Sequence, residues 1–409
     1  MNGKIGKQKQ RQNGKTADFS KNTVKQKSPL KYRVQGTVLA WALTFLLGNV
    51  EAQNTQLSPQ QQETVRLFLK KTLPRYACLC ESVHVPMSRV SEEAVKQIDP
   101  ILVSRYLIFS KNWLKFIGDD EGRQVTRQQF KKWTDNLDHL FECYERFMGQ
   151  KPFETDVIFV NLHLQENPTK GIAHAYIGTI CVNAESGAHF DHLLSEIRFR
   201  GTPNYVMCHE LAHCFSMGGP LAQKQWTGEL ETVAELLIAY ALERENLEFG
   251  YQSKISGTFH RKKLLKAATE NLADDTIQPF SYDGGSAYDL YMFGLVDKVG
   301  WETLKKVIHS YHNGTYTPTK KYDESQTMLA PGKYQFVYPH RVHEFFDRVA
   351  HFHDEACEQA KTDPSVLQTI PMEGRNLTGE QVPRSFPDKG WFLDEYFTVP
   401  TKPIKSPRR

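Results

Sequence analysis

The pentapeptide His-Glu-Leu-Ala-His at residues 209–213 has the residue types and spacing of a metal site. On a helix, residues four apart lie on the same face, with Cβ atoms about 5–6 Å apart. Two imidazoles at that spacing, those of His209 and His213, can reach one Zn²⁺ at about 2.0–2.1 Å. Glu210 stands beside the first histidine, where its carboxylate can hold a water molecule without binding the metal. The spacing therefore predicts a zinc site with Glu210 as general base.

The third ligand that a catalytic zinc site needs is expected from a second helix at residues 227–242. Three acids lie on it, Glu229, Glu231 and Glu235. Glu235 interrupts an apolar run, so we expect it to be buried, and burying an unpaired carboxylate is costly. Glu231 and Glu235 share a helix face. This favours Glu231 as the ligand and Glu235 as an acceptor for a histidine N–H, although the spacing leaves all three acids open as the ligand.

The histidine pair followed by a glutamate on a second helix resembles the gluzincin class of zinc metallopeptidases. Within that class, the segment Trp-Thr-Gly-Glu-Leu-Glu at residues 226–231 resembles the enhancin and mucin-degrading metallopeptidases. Residues 287–301 resemble the aromatic-rich helix of that family, which ends in Gly-Trp. The resemblance extends over residues 127–313 and implies a zincin-like fold that binds one zinc ion.

The chain departs from the family pattern at one position of the second helix. Glu235 stands where the family usually has an amide residue after the ligand glutamate. A different gluzincin pattern, Trp-x-x-Glu, selects Glu229 as the ligand. The resemblance to the class is therefore firmer than the resemblance to the family.

Peptide hydrolysis passes through an oxyanion, which needs a donor besides the metal. Tyr288 is the preferred candidate, because the glycines at 284 and 285 allow the start of its helix to approach the site. Spacing does not choose between it and four alternatives, which are Tyr282, Tyr291, His260 and His312.

These residues are expected to be positioned by a mostly helical α+β fold with a small sheet and two metal-bearing helices. Apolar periodicity predicts helices at residues 57–75, 91–117, 126–148, 260–273 and 286–312. Strands are predicted at residues 156–161 and 172–182. Cys208 and Cys214 flank the histidine motif and are interpreted as small apolar packing residues, since the zinc site already has three ligands.

The 409-residue chain is 40% hydrophobic, which is enough for a sizeable core. We expect a basic arm with a signal peptide or anchor at 1–52, an N-terminal helical region at 53–125, a zincin catalytic domain at 126–313, and a C-terminal extension with a loose basic tail at 314–409. Residues 1–52 hold ten Lys or Arg and two acids, a net charge of +8, so the remainder carries −4 of the total of +4. That balance gives no indication of nucleic-acid binding.

Residues 37–48 form an apolar run that is short for a membrane span, which needs about 20 residues. Lys31 and Arg33 precede it, and the Val-Glu-Ala that follows resembles a cleavage site, so a signal peptide is predicted. A secreted or periplasmic protein is expected. The alternative is a protein anchored by residues 34–50, and a membrane is a partner only if the segment at 37–50 is uncleaved.

Together these features predict an exported zinc-dependent metallopeptidase that holds one Zn²⁺ through His209, His213 and Glu231. A water activated by the zinc would hydrolyse the peptide bond, and the substrate would be a polypeptide or glycoprotein. The alternative is a non-proteolytic protein of zincin fold that binds a partner or a surface. The presence of Glu210 favours the enzyme, because a binding module needs no general base.

Overall fold

The chain folds into a mostly helical α+β structure built on a small mixed sheet. The computed structural model describes residues 57–75, 98–152, 155–164, 172–216, 227–245, 247, 287–317, 328–329, 336–337, 339–363 and 365. In these ranges, no helix combines the length and the apolarity that a membrane crossing requires.

Helix α1 (Pro59–Leu67) begins with the residues that the sequence indicates. The Ser58 hydroxyl accepts from the backbone N–H of Gln61, and the Gln61 side chain accepts from the backbone N–H of Ser58. This capping box, with Pro at the first helical position, satisfies donors that the helix leaves unpaired. The helix continues into a π-helical turn at Phe68–Thr72, so the helix predicted near residues 57–75 is confirmed.

Helix α2 (Arg127–Met148) is the central helix of the core. It starts at a second capping box, between Thr126 and Gln129, and ends at Gly149, which has a φ of 70°. Glycine adopts this left-handed conformation at helix ends without steric cost. The prediction of a helix at 126–148 is confirmed, and its buried residues include Phe130, Trp133, Leu137, Leu140, Phe141, Tyr144, Phe147 and Met148.

The sheet has four strands in the order β1-β2-β4-β3. The strands are β1 (Leu107–Phe109), β2 (Ile158–His163), β3 (Ala173–Tyr176) and β4 (Thr179–Asn183). Strands β1, β2 and β4 are parallel, and β3 pairs antiparallel with β4 and forms one edge of the described sheet. One face, which includes Val160 and Ile180, joins the core cluster of α2. The other face, which includes Phe159, packs with residues of α1.

Five further helices and a short ribbon complete the described structure. They are α3 (Ala188–Phe199), α4 (Tyr205–Ser216), α5 (Thr227–Arg244), α6 (Ala287–Asn313), the ribbon β5 (Met328–Leu329) with β6 (Phe336–Val337), and α7 (Pro339–Thr362). Helix α4 packs against α2, α5 and β3. Helix α6 is interrupted at Gly300, where φ is 79° and ψ is 163°. The predicted helix at 286–312 is thus confirmed, with a break that the sequence analysis did not predict.

Helix α7 is tied to α6 by the buried side chain of Arg348. Its Nη1 donates to the Ser310 hydroxyl at 2.9 Å. Its guanidinium lies 3.9 Å from the ring centroid of Tyr311 and 4.6 Å from that of Tyr316. Stacking on two rings and a buried hydrogen bond stabilise the charged group together. The described part of the C-terminal extension is therefore joined to the core.

Two predicted elements are wrong in the described ranges. Residues 98–117 do not form the predicted helices, because 3₁₀ turns at Pro100–Leu102 and Lys111–Lys115 flank strand β1. The single strand predicted at 172–182 is a hairpin that turns at Gly178, where φ is 69°. A three-residue buried strand has too few residues to show a period, and one glycine marked the turn.

Several predictions fall on residues outside those that the structure describes. They are the basic arm and signal peptide at 1–52, the helix at 260–273, and the tail beyond residue 365. The domain boundaries stay predictions.

Candidate functional site

The start of helix α4 is fixed by Asn204, the residue before it. Its side-chain oxygen accepts from the backbone N–H of Val206 at 2.7 Å, which is the arrangement of a helix N-cap. Its side-chain amide donates to the buried carboxylate of Glu196 on α3. Burial raises the pKa of Glu196, and the hydrogen bond from Asn204 partly offsets that rise. A buried polar contact thus positions the first turn of the motif helix.

The middle of α4 is held by aromatic residues of α2. The Tyr144 hydroxyl donates to the Cys208 carbonyl at 3.2 Å. Phe215 packs edge-to-face on Phe141, with ring centroids 4.9 Å apart. Cys208 and Cys214 are buried, and burial raises the pKa of both thiols above their usual range. They are packing residues in this structure, as the sequence predicts.

The two motif histidines converge through one ring nitrogen each. His209 Nε2 and His213 Nε2 are 3.0 Å apart, and the rings are nearly perpendicular, at 89°. Two nitrogens this close have to share a proton or a cation, because two facing lone pairs repel. Nitrogen ligands of a tetrahedral zinc are separated by about 3.4 Å, given bonds of about 2.0–2.1 Å. The observed separation is about 0.4 Å shorter than that and lies in the range of a hydrogen bond between the two rings.

Glu235 lies on the opposite edge of the first imidazole. Its Oε1 is 3.0 Å from His209 Nδ1, and both side chains are mostly buried, with 12% and 18% of their surface exposed. A carboxylate can only accept, so His209 donates its Nδ1–H and, when neutral, keeps the Nε2 lone pair toward His213. The carboxylate–histidine arrangement typical of zinc sites has this geometry. The donor set present thus fits zinc.

Tyr205 was not identified from the sequence. It is the first residue of α4, and its hydroxyl donates to the same Oε1 of Glu235 that His209 contacts. Its ring is tilted by 35° to that of His209, at a centroid distance of 5.9 Å. Tyr205, His209 and His213 follow one another at intervals of four, which is the signal that could have revealed it.

Glu210 lies on the same helix with only 8% of its surface exposed. It follows His209 directly and precedes His213 by three residues, so it lies beside the helix face that carries the histidines. Its carboxylate is mostly shielded from bulk water.

The other predicted site residues are described by their backbone alone. Glu229 and Glu231 lie in the first turns of α5, with Glu231 one turn before Glu235, and Tyr288 lies in the first turn of α6. Their side chains lie outside the described part. Among the side chains that are described, no group of three or more His, Cys, Asp or Glu is arranged to hold a metal. The described side chains therefore bring together two of the predicted ligands, His209 and His213, and the third ligand and the metal itself stay predictions.

The edge strand β3 runs beside the motif helix. The Cys214 thiol, one residue after His213, lies 3.7 Å from the Tyr176 carbonyl of β3. Helix α4 therefore packs on both α5 and the edge strand β3.

Comparison with known proteins adds one remote likeness. No protein-family model matches the chain, and no curated protein matches it. Among solved structures, the crystal structure of an M1 zinc metallopeptidase from Deinococcus radiodurans is similar, with a TM-score of 0.30 and 15% sequence identity. The match covers 53% of this chain and 42% of that one, so this chain spans less than half of its length. A likeness this slight carries over neither fold nor activity to this chain.

Proposed function

We propose that the chain is a zinc-dependent metallopeptidase that hydrolyses polypeptides. The observation that carries the proposal is the convergence of His209 Nε2 and His213 Nε2 at 3.0 Å, with Glu235 held at the far nitrogen of His209. A simple pair of packed histidines needs neither the buried carboxylate nor the adjacent Glu210.

His209, His213 and Glu231 would hold the zinc ion. Glu231 is favoured because it precedes Glu235 by one turn on α5, while Glu235 is already engaged at His209 Nδ1. Zinc, when bound, supplies a Lewis acid that polarises a carbonyl and lowers the pKa of water. Glu235 orients the imidazole of His209 and keeps its proton on Nδ1.

Glu210 is the general base and acid of the proposed reaction. Its carboxylate takes a proton from the attacking water and then returns it to the nitrogen of the leaving amine. Its low exposure limits competing exchange with solvent. Tyr288 is the proposed oxyanion donor, on the sequence argument alone.

The proposed substrate is a polypeptide chain or glycoprotein bound in extended form. Support comes from the position of β3, an edge strand beside α4. A peptide adding to such an edge gains backbone hydrogen bonds without needing a particular sequence. Export is proposed from the apolar run before residue 50 alone, and cell fractionation with N-terminal sequencing tests it.

The test compares wild type, Glu210→Gln and Glu185→Gln, where Glu185 is an exposed carboxylate that serves as the control. We expect one zinc per chain in all three after purification without chelator, measured by atomic absorption. Cleavage of casein and mucin should be lost only in Glu210→Gln, by 100-fold or more (about 10²–10⁴ for a general base).

Three outcomes would contradict the proposal, each at a different point. Wild-type protein that binds no zinc would show that the two histidines are packing residues and not metal ligands. Zinc together with undiminished cleavage by Glu210→Gln would remove Glu210 from the mechanism. Zinc with no cleavage by wild type, across casein, mucin and a peptide library, would instead support the binding protein of zincin fold.

A further inference from the structure

The carboxylate that contacts His209 receives two donors on a single oxygen. Tyr205 and His209 lie one turn apart on α4, and both contact Oε1 of Glu235 on α5. Tyr205 is half-buried, and Glu235 lies among the fully buried residues Ala234 and Leu236 of α5. The three side chains form one connected polar group between two helices.

We infer that Tyr205 is a positioning residue, which holds the Glu235 carboxylate in the plane that fixes the orientation and the Nδ1–H tautomer of His209. The inference deepens the proposed zinc site and rests on it for its functional meaning. A carboxylate held by one donor can rotate about its last torsion, which is broad and has no deep minimum. A second donor on the same oxygen, from a residue of the same helix as the histidine, restricts that rotation.

The consequence is specific to the nitrogen that faces the proposed metal. If Oε1 moves away from Nδ1, the neutral ring is free to carry its proton on Nε2 instead. An Nε2–H points a donor toward His213 Nε2, where a metal ligand needs a lone pair. Outer partners of zinc ligands typically change metal affinity by about 10–100-fold when they are removed. Tyr205 contacts the outer partner, Glu235, and not the ligand itself. We therefore expect its removal to lower zinc affinity by about tenfold, the lower end of that range.

Tyr205→Phe tests this, because it removes the hydroxyl and keeps the ring. Tyr144→Phe is the matched control, since it also removes a buried hydroxyl that contacts α4, but at the Cys208 carbonyl rather than at a site side chain. The first readout is ¹⁵N NMR of histidine-labelled, metal-free protein at about pH 8.5, where an ordinary imidazole is neutral. The His209 signal is assigned from a His209→Gln spectrum. Circular dichroism checks that each variant is folded.

The second readout is zinc affinity, measured by competition with a chelator. We expect the Nδ1–H tautomer in wild type and Tyr144→Phe, a mixture of tautomers in Tyr205→Phe, and a tenfold loss of zinc affinity in Tyr205→Phe alone. Because Tyr205 is inferred to act through Glu235, Tyr205→Phe should add less than twofold in a Glu235→Ala background.

Three results would overturn the inference. The first is that Tyr205→Phe keeps the wild-type tautomer and zinc affinity. The second is that Tyr144→Phe shows the same changes as Tyr205→Phe. The third is that Tyr205→Phe lowers zinc affinity by the full tenfold in the Glu235→Ala background. If the wild-type protein binds no zinc, the proposed function fails, but the tautomer comparison in metal-free protein still decides the role of Tyr205.

Discussion

Replacing Asn204 by alanine should weaken the fold in a pH-dependent way. The side chain has two tasks, capping α4 at Val206 and donating to the buried carboxylate of Glu196. Losing an N-cap costs about 0.5–2 kcal/mol. Leaving a buried acceptor without its donor costs about 1–3 kcal/mol. We therefore expect Asn204→Ala to lower the free energy of unfolding by about 2–4 kcal/mol at pH 8.

The second part of this loss should shrink as the pH falls. Burial already raises the pKa of Glu196, and Asn204 opposes that rise, together with weaker contributions from His192 and Arg200. Without Asn204 the folded-state pKa rises further. A carboxyl with a raised folded-state pKa takes up a proton on folding, so the folded state gains stability as the pH falls. The variant gains more than wild type, so the difference between the two should be smaller at pH 5 than at pH 8.

Urea unfolding at pH 8 and pH 5, followed by circular dichroism, measures both parts. In a Glu196→Gln background, the pH dependence of the Asn204→Ala effect should disappear, because no carboxylate remains to titrate. A loss below about 0.5 kcal/mol at pH 8, less than the smallest N-cap cost, would refute the capping argument. A loss of equal size at both pH values would refute the role of Glu196.

Three further predictions concern other parts of the fold. Gly149→Ala should cost about 2–3 kcal/mol in urea unfolding, because φ is 70° and the added Cβ would lie 2.5 Å from the His309 ring; Gly122→Ala, at φ 87° with no atom within 4 Å, should cost only about 1 kcal/mol. Burial raises the pKa of Asp138 to about 6, so the folded state takes up a proton there as the pH falls. Between pH 8 and pH 5, the free energy of unfolding measured with urea should therefore rise by about 1–2 kcal/mol more in wild type than in Asp138→Asn. Cys208 should resist iodoacetamide at pH 8 until the chain is unfolded, as peptide mapping by mass spectrometry would show, because burial raises the pKa of its thiol.

Local sequence patterns predicted the helices that have caps and a clear apolar stripe. Helix α2 combines Thr126 at its start, Gly149 at its end and a buried stripe in between, so each local preference agrees with the fold. Strand β1 was not predicted, because its three residues are all buried and an unbroken apolar run shows no alternation of apolar and polar residues.

The candidate site divides in the same way between local and non-local features. The approach of His209 to His213 depends on spacing within one helix, and the sequence contains that spacing. The contacts of Glu235 with His209 and Tyr205 depend on how α4 packs on α5. The single acid in an apolar helix predicted that Glu235 needs a partner. The spacing of Tyr205 places it on the face of His209, but its contact with Glu235 depends on the packing of the two helices.

The histidines and the proposed glutamate ligand lie on different helices, α4 and α5, and this has a thermodynamic consequence. A cation that binds both helices in the folded chain and neither in the unfolded chain acts as a reversible cross-link. At a free concentration of about 100 times its Kd, it adds about 2.7 kcal/mol to the free energy of unfolding. The difference between the melting temperature in zinc and that in a chelator then reports whether the site binds the ion, and no substrate is needed for the measurement.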